Sequence, residues 1–248
     1  MSSDYESKII AILAEDSSIS VNELSKQLNV SAVTVRTCLS SLEEKGLIIR
    51  SKGGALPAFH PSIMERLKNM NDSKKRIAKA AAEMVQNGDT IMVDAGTTTA
   101  LIAKYLLGKR DIHIVSNSSL IFPYARINPA MHLTLIGGEF RPATESFVGP
   151  MTLRELEQFH VSLAFIGTDG FSIEHGLTTH LIESAEVAKK IAEKADKVVL
   201  IADAQKFGKK GFVQVLPINA VDTLITDTTM TDEAVAAVEK TGVTVSRV

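Results

Sequence analysis

The chain has 248 residues and a hydrophobic fraction of 45%, which is enough for one large domain or two modest domains with buried cores. Its 27 Lys and Arg residues nearly balance its 29 Asp and Glu residues, so net charge neither favours nor excludes a nucleic-acid partner. A single cysteine, Cys38, excludes an intrachain disulfide and a cysteine-based zinc site. No apolar run approaches the roughly 20 residues that span a bilayer, and residues 1–6 lack the features of a signal peptide. We therefore expect a soluble, cytoplasmic, globular protein with no membrane partner.

Three short helices are predicted before residue 47. Apolar residues at helical spacing indicate a first helix over residues 6–14. Ser20 and Glu23 have the spacing of a capping box, which starts a second helix. Ser31 is a good N-cap for a third helix, and Gly46 supplies the left-handed residue that ends it. Three compact helices joined by such short turns form a helix-turn-helix.

The third predicted helix has an apolar side and a polar side. The apolar side faces the core and carries Val35, Leu39 and Leu42. The opposite side is expected to enter a DNA major groove, and Arg36 is its single long basic side chain. Residues 47–55 then form a short β-branched run broken by a glycine pair, which predicts a hairpin wing with phosphate-contacting cations. The expected DNA-binding residues are Ser31, Ala32, Thr34, Arg36, Thr37, Arg50 and Lys52.

This N-terminal pattern resembles a known family. The segments Val21-Asn22-Glu23-Leu24, Ser31-Ala32-Val33-Thr34-Val35-Arg36 and Arg50-Ser51-Lys52-Gly53-Gly54-Ala55 are similar to the DNA-binding module of DeoR-type bacterial repressors. In that family a second arginine and an aspartate usually follow Arg36, whereas this chain has Thr37 and Cys38. The departure bears on base contacts and affinity more than on the docking mode.

The region after the wing is predicted to connect two domains. Pro57 and Pro61 are followed by the basic stretch 74–76, a pattern typical of a linker that becomes a helix. We expect a DNA-binding domain over residues 1–58, a linker over 59–76 and a second domain over 77–248. The basic stretch either contacts the DNA backbone or forms a solvated helix face.

The second domain is predicted to be an α/β domain with a mostly parallel sheet covered on both faces. Its apolar strands alternate with helical stretches, which is the pattern of parallel strands joined by helices. The predicted strands are Thr90–Val93, Ile112–Val115, His132–Ile136, Leu163–Ile166, Val198–Ala202 and Thr223–Ile225.

The turn after the first of these strands predicts a phosphate site. Asp94 follows the strand, and residues 100–107 after the turn have helical spacing. Gly96 lets the backbone approach a bound group, while the hydroxyls of residues 97–99 and the first N–H groups of the helix favour an anion. Asp94 is suited to accept hydrogen bonds from sugar hydroxyls. The alternative is that Thr97 or Thr98 only caps the helix.

Polar residues or glycines follow the other predicted strands as well. In parallel sheets ligands bind beyond the carboxyl ends of the strands, so these residues are expected to share one site. Hydroxyls, glycines, two basic groups and three aspartates fit a small, polyhydroxylated and phosphorylated ligand better than an apolar ligand. The residues are Asp94 to Thr99, Ser116-Asn117-Ser118, Gly137-Gly138 with Glu139 and Arg141, Gly167-Thr168-Asp169-Gly170, and Asp203-Ala204-Gln205-Lys206.

These segments, with Gly176-Leu177-Thr178 and Glu183-Ser184-Ala185-Glu186, also resemble the sensor domain of the DeoR-type family. That domain is similar in fold to ribose-5-phosphate isomerase and binds phosphorylated sugars or their derivatives. In the family a serine commonly precedes Lys206, where this chain has Gln205. The expected effector-binding residues are Asp94, Gly96, Thr97, Thr98, Thr99, Ser116, Asn117, Ser118, Gly137, Gly138, Arg141, Gly167, Asp169, Gly170, Glu186, Asp203 and Lys206.

Two alternatives remain open at this point. In the first alternative, the winged helix binds a protein instead of DNA, because fold does not fix function. In the second, Asp94, Asp169, Glu186 and Lys206 supply the carboxylates and cation of a sugar-phosphate isomerase. No metal or other cofactor is expected, because the six histidines show no paired ligand spacing.

We expect a DNA-binding transcriptional regulator and not an enzyme. The resemblance implies a repressor of a sugar catabolic operon that binds double-stranded operator DNA and is controlled by a small phosphorylated sugar. Lys206 is expected to grip that ligand from a flexible loop, with a solvated lysine beside Lys209 and Lys210 as the alternative. A homo-oligomer, either dimer or tetramer, is expected because one winged helix with one long basic side chain buries too little DNA for operator affinity.

Overall fold

The computed structural model describes residues 2–51, 54–69 and 72–248, and the chain forms two compact units, Met1–Asn69 and Met70–Val248. Within the described residues, no helix is both long enough and apolar enough to cross a membrane. The expected linker, residues 59–76, includes a helix that packs in the first unit and the start of a helix that packs in the second.

The first unit contains four helices and a two-stranded hairpin among its described residues. They are α1 (Ser2–Glu15), α2 (Val21–Leu28), α3 (Ala32–Glu44), β1 (Ile48–Ser51), β2 (Gly54–Pro57) and α4 (Pro61–Lys68). The predicted helix-turn-helix and hairpin wing are therefore present, with β1 and β2 antiparallel and Ile49 opposite Leu56.

Local capping explains where the helices of the first unit begin and end. At the start of α2, the Ser20 hydroxyl accepts the Glu23 N–H at 3.3 Å, and the Glu23 carboxylate accepts the Ser20 N–H at 2.8 Å. The Ser31 hydroxyl accepts the Thr34 N–H at 3.0 Å and so starts α3. Gly46, with φ of +68°, lies just beyond the end of α3, as the sequence predicts.

The core of the first unit is formed by one face of each helix and the inner face of the hairpin. Burying these side chains stabilises the unit by roughly 1.5–3 kcal/mol for each large aliphatic group. The fully or nearly buried members are Ile9, Ile10, Leu13, Val21, Leu24, Val35, Cys38, Leu39, Leu42, Ile48, Ala55 and Met64.

The second unit is an α/β domain. Its helices are α5 (Asp72–Met84), α6 (Thr97–Tyr105), α7 (Phe122–Ala125), α8 (Pro150–Leu156), α9 (Ile182–Glu193) and α10 (Asp232–Glu239). Its strands are β3 (Thr90–Val93), β4 (Ile112–Ser116), β5 (Met131–Leu135), β6 (Glu139–Arg141), β7 (Ser146–Val148), β8 (Val161–Ile166), β9 (Gly170–Ser172), β10 (Gly176–Thr179), β11 (Ala195–Ile201), β12 (Val213–Leu216), β13 (Thr223–Thr226) and β14 (Thr244–Arg247).

The central sheet has seven strands in the order β14-β13-β11-β8-β3-β4-β5, and every neighbouring pair is parallel. Both faces are covered, because alternate residues of one strand point to opposite faces and all are buried. In β11, Val198 and Leu200 belong to one core cluster, and the intervening Val199 and Ile201 are buried as well. The predicted fold class is confirmed.

The order of the strands creates a switch point at the centre of the sheet. From β3 the chain runs outward through β4 and β5, whereas β8, β11, β13 and β14 are added on the other side of β3. The loops that leave β3 and β8 therefore run toward opposite sides of the sheet, and ligands bind at such a position in open α/β sheets. We call the position between the carboxyl ends of β3 and β8 the crevice.

Two small antiparallel sheets lie in segments that the sequence analysis treated as loops. One has the order β12-β10-β9, and the other is the hairpin β6-β7. Their strands have three or four residues, too short to show an alternating pattern. Gly170 belongs to the first of these sheets, and a Cβ there would lie 2.4 Å from the Lys209 carbonyl oxygen. Gly170 thus permits close backbone packing, which gives it a structural role besides any ligand contact.

Candidate functional sites

Helix α3 presents Arg36 and Thr37 to solvent, as expected, but not Ala32. The Ala32 side chain is half-buried and packs against the core of the first unit, so its expected exposure was wrong. Val33, which the sequence analysis left out, is 69% exposed. Residues three and four apart share a helix face, so the spacing of Val33 to Arg36 and Thr37 was the signal that placed it there.

The hydroxyl groups near the start of α3 are already hydrogen-bonded within the helix. The Ser31 and Thr34 hydroxyls lie 2.9 Å apart, and Ser31 also accepts the Thr34 N–H. The Thr37 hydroxyl donates to the Val33 carbonyl at 3.1 Å. These bonds occupy the three hydroxyl groups within the helix, and Arg36 is the longest polar side chain on this face.

Arg36 and Arg50 lie on the same side of the first unit. Together with Ser20, Val21 and Asn22 they line a surface hollow of about 340 Å³. The two arginines belong to separate predicted elements, and the structure brings them to one concavity beside the start of α2. Lys52, the other expected wing cation, lies outside the described residues.

In the second unit, Asp94 is the buried acid at the switch point. It follows β3, its backbone N–H donates to the Phe165 carbonyl of β8 at 2.9 Å, and its side chain is 9% exposed. Burial raises the pKa of the Asp94 carboxyl, the nearby Asp169 charge adds to the rise, and the resulting pKa is about 7. Hydrogen bonds from the backbone N–H groups of Ala95 and Gly167 oppose this rise. The carboxyl therefore titrates near neutral pH.

The loop after β8 carries Asp169, and the turn after β11 brings Lys206 beside the same crevice. The Asp169 carboxylate accepts the Thr179 hydroxyl at 2.8 Å and the His180 N–H at 3.1 Å. The Lys206 ammonium donates to the Thr168 carbonyl at 2.6 Å. Lys206 ends a short 3-10 turn that begins at Ala204, so its cation is brought to the end of β8 by backbone structure.

Helix α6 begins at the crevice without a side-chain cap. Gly96 is the N-cap residue, so the alternative that Thr97 or Thr98 only caps the helix is wrong. The Thr99 hydroxyl donates to the Gly96 carbonyl at 3.0 Å, and a Cβ at residue 96 would lie 2.8 Å from that hydroxyl oxygen. Thr99 is thus structural. The first N–H groups of α6 have no acceptor within the helix, and an anion is favoured at such a helix start. Thr98 lies half-buried beside them.

The segment after β4 divides into a structural residue and two candidates for ligand contact. The Ser116 hydroxyl donates to the Val93 carbonyl at 2.7 Å and accepts the Ser118 N–H at 3.1 Å, so it joins β4 to β3. Asn117 donates through its side-chain amide to the Phe147 carbonyl at 3.1 Å. Within the described residues, the Asn117 Oδ1 and Ser118 Oγ atoms are buried without a hydrogen-bond partner.

The segment after β5 is held by the protein itself. The Gly137 N–H donates to the Glu155 carboxylate at 2.9 Å, and its carbonyl accepts the Thr152 hydroxyl at 2.8 Å. At Gly138, with φ of +145°, a Cβ would lie 2.0 Å from the same Thr152 hydroxyl. The two glycines therefore serve backbone packing beside α8.

Arg141, an expected effector contact, is ion-paired. Its guanidinium lies 2.8 Å from the Glu183 carboxylate and 3.1 Å from the Glu139 carboxylate. Glu186 is exposed on α9, and it is Glu183 of the same helix that holds Arg141. Arg141, Glu139 and Glu183 are thus ion-paired with each other, whereas Asp94 and Asp169 lie at the crevice.

One acid that shapes the site was missed by the sequence analysis. Asp227, which follows β13, is 3% exposed, and its carboxylate accepts the Ala204 N–H at 2.9 Å. It thereby fixes the turn that runs from the half-buried Asp203 to Lys206. Its position immediately after a strand was the available signal.

Comparison with known proteins identifies the family of both units. Residues 6–58 match the DeoR-like helix-turn-helix domain, and residues 69–228 match the DeoR C terminal sensor domain. The chain is 34% identical over 244 residues to the HTH-type transcriptional regulator GlpR of Haloferax volcanii, covering 96% of this chain and 94% of that protein. It is 33% identical over 229 residues to the HTH-type transcriptional repressor GlcR of Bacillus subtilis, covering 90% and 88%.

Among solved structures, ribose 5-phosphate isomerase from Plasmodium falciparum aligns with part of the chain. The alignment has a TM-score of 0.40 and 18% identity, and it covers 56% of this chain and 54% of the isomerase.

Proposed function

Because the chain belongs to the DeoR family of transcriptional regulators, we propose that it represses a sugar catabolic operon and that a phosphorylated sugar controls its binding to operator DNA. In this proposal α3 enters the major groove of double-stranded operator DNA, and the crevice between β3 and β8 receives the effector. The protein acts in the cytoplasm as a homo-oligomer, either a dimer or a tetramer, and carries out no chemistry on the sugar.

The observation that carries the effector proposal is the chemistry of the crevice. The uncapped start of α6 offers N–H groups and the Thr98 hydroxyl to a phosphate. The Lys206 ammonium, bonded to the Thr168 carbonyl, supplies a positive charge nearby, and the Asp94 and Asp169 carboxyl groups suit sugar hydroxyls. An anion site beside hydroxyl-binding acids fits a sugar phosphate better than an apolar ligand.

The DNA proposal rests on the exposed face of α3 and the hollow beside it. In this proposal Arg36, which is exposed on α3, contacts a guanine edge, and a good bidentate contact of this kind contributes about 1–3 kcal/mol of discrimination. Arg50 and Lys52 are assigned to DNA phosphates. Ser31, Thr34 and Thr37 are the other proposed DNA contacts, and they lie at and after the start of α3. Linked copies of the chain multiply these contacts because the second module binds at a high effective concentration.

An operator-binding assay with matched arginine variants tests this division of roles. Arg36→Ala is expected to abolish the preference for operator over competitor DNA. Arg50→Ala, in the same hollow, is expected to weaken binding to all sequences and to reduce the slope of log affinity against log salt by about 1. Full operator preference in Arg36→Ala, measured by gel-shift competition, contradicts the assignment of Arg36.

A thermal-shift screen over sugar phosphates tests the effector assignment. A ligand at about 100 times its dissociation constant stabilises the folded protein by roughly 2.7 kcal/mol, which is a measurable rise in melting temperature. We expect at least one sugar phosphate to stabilise the protein and its unphosphorylated sugar to have little effect. Equal stabilisation by both members of such a pair contradicts the phosphate site.

A further inference from the structure

We propose that Val33 contacts the 5-methyl group of a thymine in the operator and so helps to set sequence specificity. This inference rests on the proposed docking of α3 in a major groove. The major-groove edge of thymine carries a methyl group that no other base of unmodified DNA has, and apolar side chains distinguish it by direct contact.

The exposure of Val33 is the first support. It is 69% exposed, whereas the other large apolar residues of α3, Val35, Leu39 and Leu42, are fully buried. Valine has a lower helix propensity than alanine, since its branched Cβ is restricted by the preceding turn. Neither packing nor helix stability therefore accounts for a valine at this exposed position.

The second support is the position of Val33 on the helix. It is the second residue of α3, and the N-terminal residues of a recognition helix are those that contact base edges. Arg36 lies three residues later, so the two side chains are neighbours on one face. A guanine contacted by Arg36 and a thymine contacted by Val33 would then lie at adjacent or next-adjacent base pairs.

The third support is that the neighbouring side chains are already in contact within the first unit. The Ser31 and Thr34 hydroxyls contact each other, and the Thr37 hydroxyl is bonded to the Val33 carbonyl. Ala32 packs inward. At the N-terminal half of the exposed face, Val33 and Arg36 are thus the side chains that project beyond the backbone.

Replacement of single thymines by deoxyuridine tests the contact, because deoxyuridine lacks only the 5-methyl group. An operator is first selected from random duplexes with the unmodified protein, and each thymine of a half-site is then replaced in turn. We expect one position at which deoxyuridine weakens binding about 3- to 10-fold, and we expect this penalty to disappear in Val33→Ala. Such loss of a penalty on removing its partner is the signature of a direct interaction in a double-mutant cycle.

Two controls separate this result from a general loss of binding. Leu107→Ala removes an apolar side chain that is 62% exposed on the second unit and should keep the full deoxyuridine penalty. Val33→Thr keeps the β-branched shape and one methyl group, so it should keep part of the penalty. Because Val33 is exposed, circular dichroism and the melting temperature of Val33→Ala are expected to match those of the unmodified protein.

The possible failures are distinct. If the protein selects an operator but the deoxyuridine penalties are the same in the unmodified protein and Val33→Ala, the Val33 assignment is wrong and the proposed function stands. If no duplex is selected over random sequence, the proposed DNA-binding function fails and the assignment fails with it.

Discussion

Single residues show where helical phase limits a sequence-based prediction. The capping box of Ser20 and Glu23 and the N-cap at Ser31 were predicted correctly because each depends on a local spacing. The sequence predicts Ala32 and not Val33 on the exposed face, and the structure shows the reverse. Neighbouring helix residues differ by about 100° in direction, so a small error in phase moves a side chain from the surface to the core. The partnership of Arg141 with Glu183 joins distant segments, and no local pattern encodes it.

Asp94 makes stability depend on pH in a specific direction. Its folded-state pKa of about 7 lies above the ordinary value of 3.8, so the folded protein keeps a proton that the unfolded chain releases between these values. The free energy of unfolding therefore falls as pH rises through this window, and the loss is complete above about pH 7. Ionised Asp94 is a destabilising group at neutral and alkaline pH.

Asp94→Asn is expected to remove this dependence. The quantity to compare is the free energy of unfolding of the variant minus that of the unmodified protein. This difference should rise by on the order of 2 kcal/mol from about pH 5 to about pH 8, since each pKa unit corresponds to about 1.4 kcal/mol. Urea unfolding followed by circular dichroism at the two pH values measures it. Asp203→Asn changes the same charge at a half-buried position and serves as the control. A pH-independent difference between Asp94→Asn and the unmodified protein would refute the neutral, buried carboxyl.

Lys206 is expected to transmit ligand binding to DNA affinity. A ligand changes operator affinity only through its different affinities for the two conformations of the protein, so loss of a cation that grips one conformation reduces the coupling. Lys206→Ala should bind operator with near-normal affinity and respond little to the sugar phosphate. The measurement is operator binding titrated with ligand, with Lys210→Ala, an exposed lysine of the same loop, as the matched control.

An unchanged ligand response in Lys206→Ala would remove the residue from the signalling role. Turnover of a sugar phosphate by the unmodified protein that is lost in Lys206→Ala would instead assign the residue to catalysis.

At the level of elements, the strands that build the crevice were predictable and the small sheets around it were not. β3 has the predicted bounds. Each of the other five predicted strands has both of its ends within three residues of the observed ends. These strands are buried apolar runs, which a sequence displays directly. β14 was missed because it is a short edge strand with polar Thr244 and Arg247 at its ends. The strands of β6-β7 and β12-β10-β9 are defined by pairing across loops and have no such signal.

Thr98, at the start of α6, is expected to contact the phosphate of the effector. Thr98→Val should lower affinity for a sugar phosphate, because it removes a hydroxyl donor from the start of α6, and should change stability little because Thr98 caps nothing. Thr99→Val should instead destabilise the fold by about 1 kcal/mol, since it removes the hydrogen bond to Gly96. Isothermal calorimetry with a sugar phosphate and its unphosphorylated sugar, combined with thermal melts, separates the two effects. An unchanged phosphate affinity in Thr98→Val would exclude the hydroxyl from the site.

At the level of the whole molecule, the chain is two units with separate cores. Met64 of α4 is buried in the core of the first unit, and Ile77 of α5 is buried in the second. Two prolines and a basic stretch are typical of a connection, so the sequence predicts a linker from residue 59. The packing of α4 depends on contacts with α1, a distant segment, and no local pattern indicates it.

The second unit is expected to fold, oligomerise and bind effector without the first. Its sheet is complete within residues 72–248, and its core is its own. A fragment covering residues 70–248 should therefore show a cooperative melt, the same subunit number as the full chain by sedimentation, and the same sugar-phosphate affinity. An insoluble or monomeric fragment, under conditions where the full chain assembles, would place the oligomer contacts in the first unit.

In the proposed function, the crevice of the second unit controls DNA binding by the first. The direct measurement is the dissociation constant of a fluorescent operator duplex, by anisotropy at fixed salt, across a titration with the sugar phosphate that most stabilises the protein. We expect a change of about 5-fold or more at saturation, which corresponds to a coupling free energy of about 1 kcal/mol, and no change with the unphosphorylated sugar. By reciprocity, operator DNA should alter the affinity for the sugar phosphate by the same factor. If every sugar phosphate that binds leaves the operator dissociation constant unchanged, the crevice does not control DNA binding.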